Sequence, residues 1–160
     1  MILETKRLIL RPPKKSDWKD VVEGASDLKV SRMTALIPYP YKRKDAIWFI
    51  KDVIKRWKNK DKTSYVFFIE LKLEKKVIGV TELAKVDRWN KKAEAGSWIN
   101  KKYWKKGYII EAKTPVLDFA FNKLKLRKIE TGVWIENKAS NKMQEKLGFK
   151  FEGTKRKTIK

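Results

Sequence analysis

The segment AEAGSWINKKYWKKGYIIEA, residues 93–112, decides the fold because it predicts a strand, a basic loop and a helix in direct succession. Residues 93–99 are typical of a short strand, and Gly107 opens the helix. At such a junction the unpaired N–H groups of the first helical turn and the positive end of the helix dipole face the loop. Lys105 and Lys106 add positive charge. The segment therefore predicts a site for an anion such as pyrophosphate, although a plain loop-to-helix junction would show the same local pattern.

The hydrophobic pattern on either side of this segment predicts the remaining elements. Further strands are expected at residues 7–12, 65–71, 77–83, 128–135 and 149–155, and helices at residues 16–25, 45–57, 108–124 and 137–147. The predicted order is therefore β-α-α-β-β-β-α-β-α-β. Three consecutive strands exclude simple α/β alternation, so the chain should adopt an α+β fold with helices on a mostly antiparallel sheet. Because 160 residues show no linker or repeat, residues 1–160 are expected to form a single domain.

The composition limits the chemistry that the chain can perform. It contains no Cys and no His. This excludes a disulfide framework, a Cys nucleophile, a His general base and the usual zinc ligands, so we expect no metal. Catalysis must then use carboxylates, hydroxyls, amines or backbone groups, which favours direct transfer without a covalent intermediate on Cys or His.

The formal net charge is +22, and it is spread along the whole chain. A solvated, lysine-rich surface explains this charge, but the same charge would attract a polyanion such as coenzyme A, an acidic protein surface or RNA on a ribosome. No stretch reaches the roughly 18 apolar residues needed to span a bilayer. Charges at Glu4, Lys6 and Arg7 occupy the positions where a signal peptide would be apolar. We therefore expect a cytoplasmic protein with no membrane partner.

Residues 93–112 resemble the acetyl-CoA loop of GNAT N-acetyltransferases, in the RimJ/RimL version AEIGYWL…YWGKGYATEA. The matching residues are Ala93, Glu94, Gly96, Trp98, Tyr103, Trp104, Lys106, Gly107, Tyr108, Glu111 and Ala112. Other blocks resemble the same family in the same order: ETKRLILRP at residues 4–12, KKVIG at residues 75–79, and the stretch from LDFAF to GFKFEG at residues 117–153. The resemblance covers nearly the whole chain and implies the GNAT fold, a mixed sheet flanked by helices.

The resemblance also implies acetyl-CoA as the acetyl donor and assigns residues to it. Backbone amides of residues 105–109 are implied to bind the pyrophosphate. The strand edge at Trp98 and Ile99 is implied to pair with the pantetheine amides, and an N–H of residues 98–100 to polarise the thioester carbonyl. The cofactor-binding residues expected in this way are Trp98, Ile99, Lys105, Lys106, Gly107, Tyr108, Ile109 and Asn137.

Two residues are candidates for the catalytic chemistry. Ser140 is implied by the resemblance as the group that protonates the departing thiolate. Glu94 is a candidate general base for the amine, with a solvated strand residue as the alternative. Asn137 and Ser140 also fit the N-cap and N3 positions of a helix, so a purely structural role is the alternative for this pair.

Three features depart from the family pattern. Lys105 replaces a Gly and Ile109 replaces a small residue, which places side chains where the backbone should approach phosphate closely. The family also continues with a further strand, whereas this sequence ends at Lys160. We therefore expect that strand to be missing. Either the sequence is truncated, or a neighbouring molecule, as in a homodimer, completes the acceptor site.

The expected acceptor is a primary amine, with a protein N-terminus, such as that of a ribosomal protein, ranked first. An α-amino group has a pKa of about 8 against about 10.4 for Lys, so it needs little help from a base. Tyr39, Tyr41 and Trp48 lie in an aromatic, Pro-rich segment that is predicted to face the acceptor, with simple loop packing as the alternative. Two other functions remain open: a small-molecule amine acetyltransferase, and a non-catalytic nucleic-acid- or ribosome-binding module on a GNAT scaffold.

Overall fold

A computed structural model describes residues 1–34 and 36–156. Its strands are β1 (Leu3–Glu4), β2 (Leu8–Arg11), β3 (Tyr65–Leu71), β4 (Lys76–Asp87), β5 (Lys92–Ile99) and β6 (Lys128–Glu130). Its α-helices are α1 (Trp18–Ala25), α2 (Leu28–Arg32), α3 (Arg43–Lys58), α4 (Tyr108–Asp118) and α5 (Lys138–Lys146). A π-helical turn, Phe119–Lys123, extends α4.

The strands form one sheet in chain order, from β1 at one edge to β6 at the other. Neighbouring strands are antiparallel except β5 and β6, which are parallel. This arrangement confirms the predicted α+β fold with a mostly antiparallel sheet.

Two hydrophobic clusters cover the two faces of the sheet. On β3, Phe67 and Ile69 belong to the cluster that includes Ala112 of α4, whereas Val66 and Phe68 belong to the cluster formed with α1 and α3. Because successive strand residues point to opposite faces, α4 lies on one face and α1 and α3 on the other. Burial on both faces explains why residues 65–71 are almost continuously apolar, and the strand predicted there is confirmed.

The N-terminal part of the observed order differs from the prediction in two places. The predicted strand at residues 7–12 is one arm of a hairpin, because Thr5 N donates to Leu8 O across a tight turn (3.0 Å). A short extra helix, α2, follows α1, because the side chain of Asp27 caps it by accepting a hydrogen bond from Lys29 N (2.8 Å).

The C-terminal part differs as well. The strand predicted at residues 128–135 ends at Glu130, and residues 149–155 form no strand. Parallel pairing with β5 stops at Glu94 and Glu130, and Thr131 then donates its hydroxyl proton to Ala95 O (3.0 Å). Residues 149–155 do not pair with β6, and side-chain contacts attach them to it, such as the ion pair of Lys128 with Glu152 (3.0 Å).

A buried ion cluster fixes the start of the chain against the sheet. The Arg11 guanidinium donates to both carboxylate oxygens of Asp17 (2.8 and 3.0 Å) and to Glu70 of β3 (2.5 Å). This bidentate geometry aligns β2 beside β3 and so sets the position of the preceding residues, including Arg7.

Candidate active site

The edge of β5 that faces β6 is open beyond the point where the two strands stop pairing. Asn100 N donates to Ile78 O of β4 (2.8 Å), whereas Ala95 O points towards β6 and accepts from Thr131. Because backbone groups alternate along a strand, Trp98 and Asn100 direct their N–H groups at β4, and Ser97 and Ile99 direct theirs at the opening. The opening between β5 and β6 is called the cleft below.

Because of this alternation, the two predicted residues of β5 face different surroundings. Ile99 presents its N–H to the cleft, while its carbonyl oxygen accepts from the indole Nε1 of Trp104 (2.9 Å). Trp98 presents its ring to α1, where a Cβ on Gly24 would lie 2.8 Å from Cζ3 of that ring. Among residues 98–100, it is Ile99 whose N–H is directed into the cleft and can polarise a carbonyl there. The N–H of Ser97, two residues earlier, has the same orientation.

The loop after β5 ends in two left-handed residues. Lys105 has φ +61° and Gly107 has φ +77°. Lys105 therefore has a left-handed backbone at the position where the family has Gly. This conformation costs an L-residue about 1 kcal/mol. The first hydrogen bond of α4 runs from Glu111 N to Gly107 O (3.1 Å), so the amides of residues 108–110 precede it and face the loop.

Arg7 lies over the start of α4. Its Nε donates to Oε2 of Glu111 (2.6 Å), and its backbone N donates to Oε1 (2.8 Å). The guanidinium carbon is 4.2 Å from the centre of the Tyr108 ring. Nη2 would be 3.6 Å from a Cβ atom on Gly107, so the outer edge of the guanidinium borders the same loop that the helix amides face.

The carboxylate of Glu111 is the anchor of this arrangement. Burial on its own would raise the pKa of Glu111, but hydrogen bonds from Thr5 and from the amide and guanidinium of Arg7 lower it overall. Glu111 is therefore an ionised partner of Arg7.

The side chain of Ile109, which could obstruct the loop, packs against the core, and Lys105 is exposed. Ile109 and Tyr108 pack against the core cluster that contains Ala112. Lys105 and Lys106 are exposed, and Nζ of Lys106 lies 5.5 Å from the centre of the Tyr103 ring. The loop therefore offers main-chain donors and three nearby cations, Arg7, Lys105 and Lys106, to an anion.

The helix α5 carries the two predicted polar residues at its start. Oδ1 of Asn137 accepts from Ser140 N (3.1 Å), which is an N-cap bond. Only the amide of Ser140 is used in this bond, so its hydroxyl is available for other chemistry. Gly148 (φ +88°) ends the helix, with Phe149 N donating to Gln144 O (3.0 Å), as in a Schellman motif.

Two carboxylates lie on the α3 side of the sheet near the start of the cleft. Glu82 is paired with Gly96 across β4 and β5, and a Cβ on Gly96 would be 3.3 Å from Oε1 of Glu82. Burial raises the pKa of Glu82, and the nearby charge of Glu94 acts in the same direction, against the charge of Arg56. Glu94 itself is more exposed and forms an ion pair with Lys85 (2.8 Å).

The residues predicted to face the acceptor separate in the structure. Tyr41 is 9% exposed and packs in the cluster under α1 and α3, where burial raises its pKa to about 12. Tyr39 and Trp48 are exposed, at 59% and 69%. Tyr41 therefore offers little surface to an acceptor, and the acceptor-facing role of Tyr39, Tyr41 and Trp48 stays a prediction.

A chain of polar groups connects the walls of the cleft. Nζ of Lys113, which is 1% exposed, donates to Oε1 of Gln144 (3.3 Å). Nε2 of Gln144 donates to the Thr131 hydroxyl (3.4 Å), which in turn donates to Ala95 O. Burial lowers the pKa of Lys113 to about 8. The chain joins α4, α5, β6 and β5 at the point where the two strands separate.

Comparison with known proteins identifies the family. The family model described as "Acetyltransferase (GNAT) domain" matches residues 7–150. The chain belongs to the GNAT acetyltransferases. It is 30% identical over 153 residues to the uncharacterised N-acetyltransferase p20 of Bacillus licheniformis, covering 94% of this chain and 83% of that protein.

Solved structures support the same assignment. A GNAT-family acetyltransferase from Bacillus anthracis superposes with a TM-score of 0.83 and 28% identity, over 99% of this chain and 89% of that one. The ribosomal-protein-S5-alanine acetyltransferase from Vibrio fischeri has the same fold, with a TM-score of 0.80 and 20% identity, over 99% of this chain and 88% of that one.

This GNAT chain is an N-acetyltransferase, and the enzymes of its family use acetyl-CoA as the acetyl donor. The residues present fit that donor: the open edge of β5 suits the amides of a pantetheine arm, and the amides and cations around Gly107 suit a pyrophosphate. In residues 1–34 and 36–156, no cluster of three or more Cys, His, Asp or Glu side chains could hold a metal ion. In the same part of the chain, no helix is both long and apolar enough to span a membrane.

The sequence analysis missed Arg7 and Lys113. Arg7 and Glu111 are 104 positions apart, so their contact leaves no local pattern. The available signal was that both residues lie in blocks that resemble the family. Lys113 falls within the apolar positions of α4, and a lysine at such a position was the signal for a buried cation.

Proposed function

We propose that this GNAT enzyme transfers the acetyl group of acetyl-CoA to the α-amino group of a protein N-terminus, by direct attack in a ternary complex. The observation that carries the proposal is the open edge of β5, with donors from Ser97 and Ile99, leading to the amides and the Arg7 guanidinium at the start of α4. That arrangement can hold an extended cofactor with its anionic part at the loop and its thioester where β5 and β6 separate. The acceptor nitrogen then meets the thioester carbon in a fixed geometry, which supplies much of the rate.

The residues of the proposed site divide between binding and proton transfer. Amides of residues 105–109, with Lys105, Lys106 and Arg7, would bind the pyrophosphate, and Asn137 would contact the cofactor arm. The N–H of Ser97, the cleft donor nearer to the point where β5 and β6 separate, would polarise the thioester carbonyl, and the N–H of Ile99 would pair with a pantetheine amide. Ser140 would supply its hydroxyl proton to the departing thiolate, a carboxylate would take the proton released by the amine, and return of that proton to Ser140 through solvent would balance the reaction.

Of the two carboxylates, Glu82 fits the role of proton acceptor better than Glu94. Burial raises the pKa of Glu82 towards the range that suits a base near neutral pH, whereas Glu94 is held by Lys85. The demand on this base is small, because an α-amino group is partly neutral at pH 7. A chain without His can therefore perform the reaction.

A protein N-terminus is preferred to a polyamine on the ground of charge. The chain carries +22, which repels polycations. The Vibrio fischeri structure with the same fold is named for a ribosomal-protein alanine acceptor. We accordingly propose a RimJ/RimL-type, single-domain enzyme of the cytoplasm whose basic surface contacts ribosomal RNA.

The test is mass spectrometry of acceptors incubated with isotopically labelled acetyl-CoA. The acceptors are short lysine-free peptides that begin with Ala or Ser, the same peptides with a formylated N-terminus and one added lysine, and spermidine. Label on the free N-termini only is the expected result. Label on spermidine or on the lysine side chain alone would contradict the proposed acceptor.

A further inference from the structure

The structure contains a groove on the side of the sheet where β5 begins. The groove, called the hairpin groove here, has a volume of about 670 Å³ and lies between residues 61–63, the turn joining β4 to β5, and Glu130. A second cavity of about 450 Å³ shares Lys62, Thr63 and Lys85 with it and extends to Arg56 on α3. The two cavities are therefore adjacent.

The walls of the hairpin groove are held by specific contacts. Val86 N donates to Thr63 O (2.8 Å), and Nη2 of Arg88 donates to the hydroxyl of Tyr65 (3.0 Å). The register of β4 shifts between Ala84 and Asp87, and Lys85 there has φ +49°. Such bulges redirect side chains and recur beside active sites, so the groove is a built feature of the hairpin.

The groove reaches the proposed site of acetyl transfer. Its lining includes Glu94, and the adjacent second cavity is lined by Arg56; the charges of both residues act on the carboxylate of Glu82. Glu94 and Glu130 are register partners at the last paired position of β5 and β6, directly before the cleft begins. An amine at the inner end of the groove is therefore next to the place where the thioester would lie.

The charge of the groove differs from that of the chain as a whole. Four carboxylates line it, from Asp61, Asp87, Glu94 and Glu130, together with four cationic side chains. The charges that line the groove therefore cancel, although the chain has a net charge of +22. A protonated amine is repelled less there than elsewhere on the chain. Trp89, 92% exposed, stands at its outer end and offers an apolar face.

We propose that the hairpin groove is the acceptor site and that it takes the amino-terminal segment of a polypeptide, with the α-amino group at Glu94 and Glu130 and the following residues against Trp89. This proposal rests on the acetyl-transfer function proposed above. An open groove suits a polypeptide because the rest of the acceptor must leave into solvent, whereas a small amine is better held in an enclosed pocket. The proposal replaces the surface around Tyr39 and Trp48 as the entry route.

The test uses a bisubstrate conjugate, in which an acetyl linker joins the sulfur of CoA to the α-nitrogen of a peptide that begins with Ser. Its affinity and that of CoA alone are measured by calorimetry. For Trp89→Ala and Glu130→Gln we expect about tenfold weaker binding of the conjugate, equivalent to one lost contact, and unchanged binding of CoA.

Matched controls isolate the groove. Glu152→Gln removes the other carboxylate that pairs with Lys128, and Leu73→Ala removes an exposed apolar side chain from the β3–β4 turn; neither residue lines the groove. Both controls should bind the conjugate like the unaltered protein. A loss confined to Trp48→Ala, or equal affinities for all variants, would overturn the groove assignment while leaving acetyl transfer intact. An unaltered protein that binds neither CoA nor the conjugate would instead overturn the proposed function and the groove together.

Discussion

The guanidinium of Arg7 and the carboxylate of Glu111 join the start of the chain to the first turn of α4, with Nε 2.6 Å from Oε2. This pair holds the guanidinium over the ring of Tyr108 and leaves its outer edge beside Gly107. In the proposed anion site Glu111 would therefore act indirectly, by orienting the guanidinium of Arg7 beside the loop.

Arg7→Gln should weaken acetyl-CoA binding about tenfold, the effect of losing one charge-assisted hydrogen bond at a partly exposed site. Calorimetry at low and high salt measures it, and the deficit should shrink as salt rises. Thr5→Val is the control, because it removes another donor to Glu111 without changing the charge at the loop. Equal affinities of Arg7→Gln and the unaltered protein would show that the guanidinium does not reach the cofactor.

Lys105→Gly should raise the free energy of unfolding by about 1 kcal/mol, because Gly adopts a positive φ without the clash that an L-residue suffers. Urea unfolding measures the gain. Lys125→Gly is the matched control, since Lys125 has φ +55° but lies at the far end of the α4 segment. Both variants should gain stability, and only Lys105→Gly should change the affinity for acetyl-CoA.

Ser140→Ala should lower kcat more than it raises KM, because the lost proton donor acts on the departing thiolate and not on binding. The variant should keep its stability, since the cap bond uses the amide of Ser140. By contrast, Asn137→Ala should lose about 1 kcal/mol of stability with the N-cap. Unchanged turnover of Ser140→Ala would remove Ser140 from the proposed mechanism.

Glu82→Gln should lower kcat about a hundredfold, the lower end of the range for a positioned base. The same change should stabilise the protein at neutral pH. A carboxylate whose pKa is raised on folding contributes stability below its unfolded pKa, and this contribution is lost as the pH rises through the folded pKa. The stability gain should therefore vanish near pH 4, as urea unfolding at both pH values would show. A larger loss of kcat in Glu94→Gln would transfer the role to Glu94.

Lys113→Met should stabilise the protein at neutral pH by up to about 3 kcal/mol, because it removes a buried cation without an acidic partner. Burial lowers the pKa of Lys113 to about 8 from its usual 10.5. The folded state therefore disfavours the proton, so the stability of the unaltered protein should rise between about pH 8 and pH 10.5 while that of Lys113→Met stays flatter. A less stable variant at neutral pH would show that the hydrogen bond to Gln144 outweighs the cost of burial.

Much of the local structure could be predicted from the sequence. The strand at residues 65–71 was predicted with its observed bounds, because covering both faces leaves a continuous apolar run. The helix caps at Gly107 and Asn137 follow from residue type alone. Residues 149–155 were wrongly predicted as a strand, because their composition suits one but pairing depends on the length of β6.

The sequence by itself determined the order of the central strands, the succession of strand, loop and helix in residues 93–112 and the exclusion of Cys and His chemistry, since these depend on neighbouring residues and composition. Only the tertiary structure decided that Arg7 meets Glu111, that Glu82 lies against Gly96, and that Tyr41 is in the core. Such contacts depend on the register of the sheet and on which face each helix covers. The register depends on all the paired strands together, so it cannot be predicted from any short segment of the sequence.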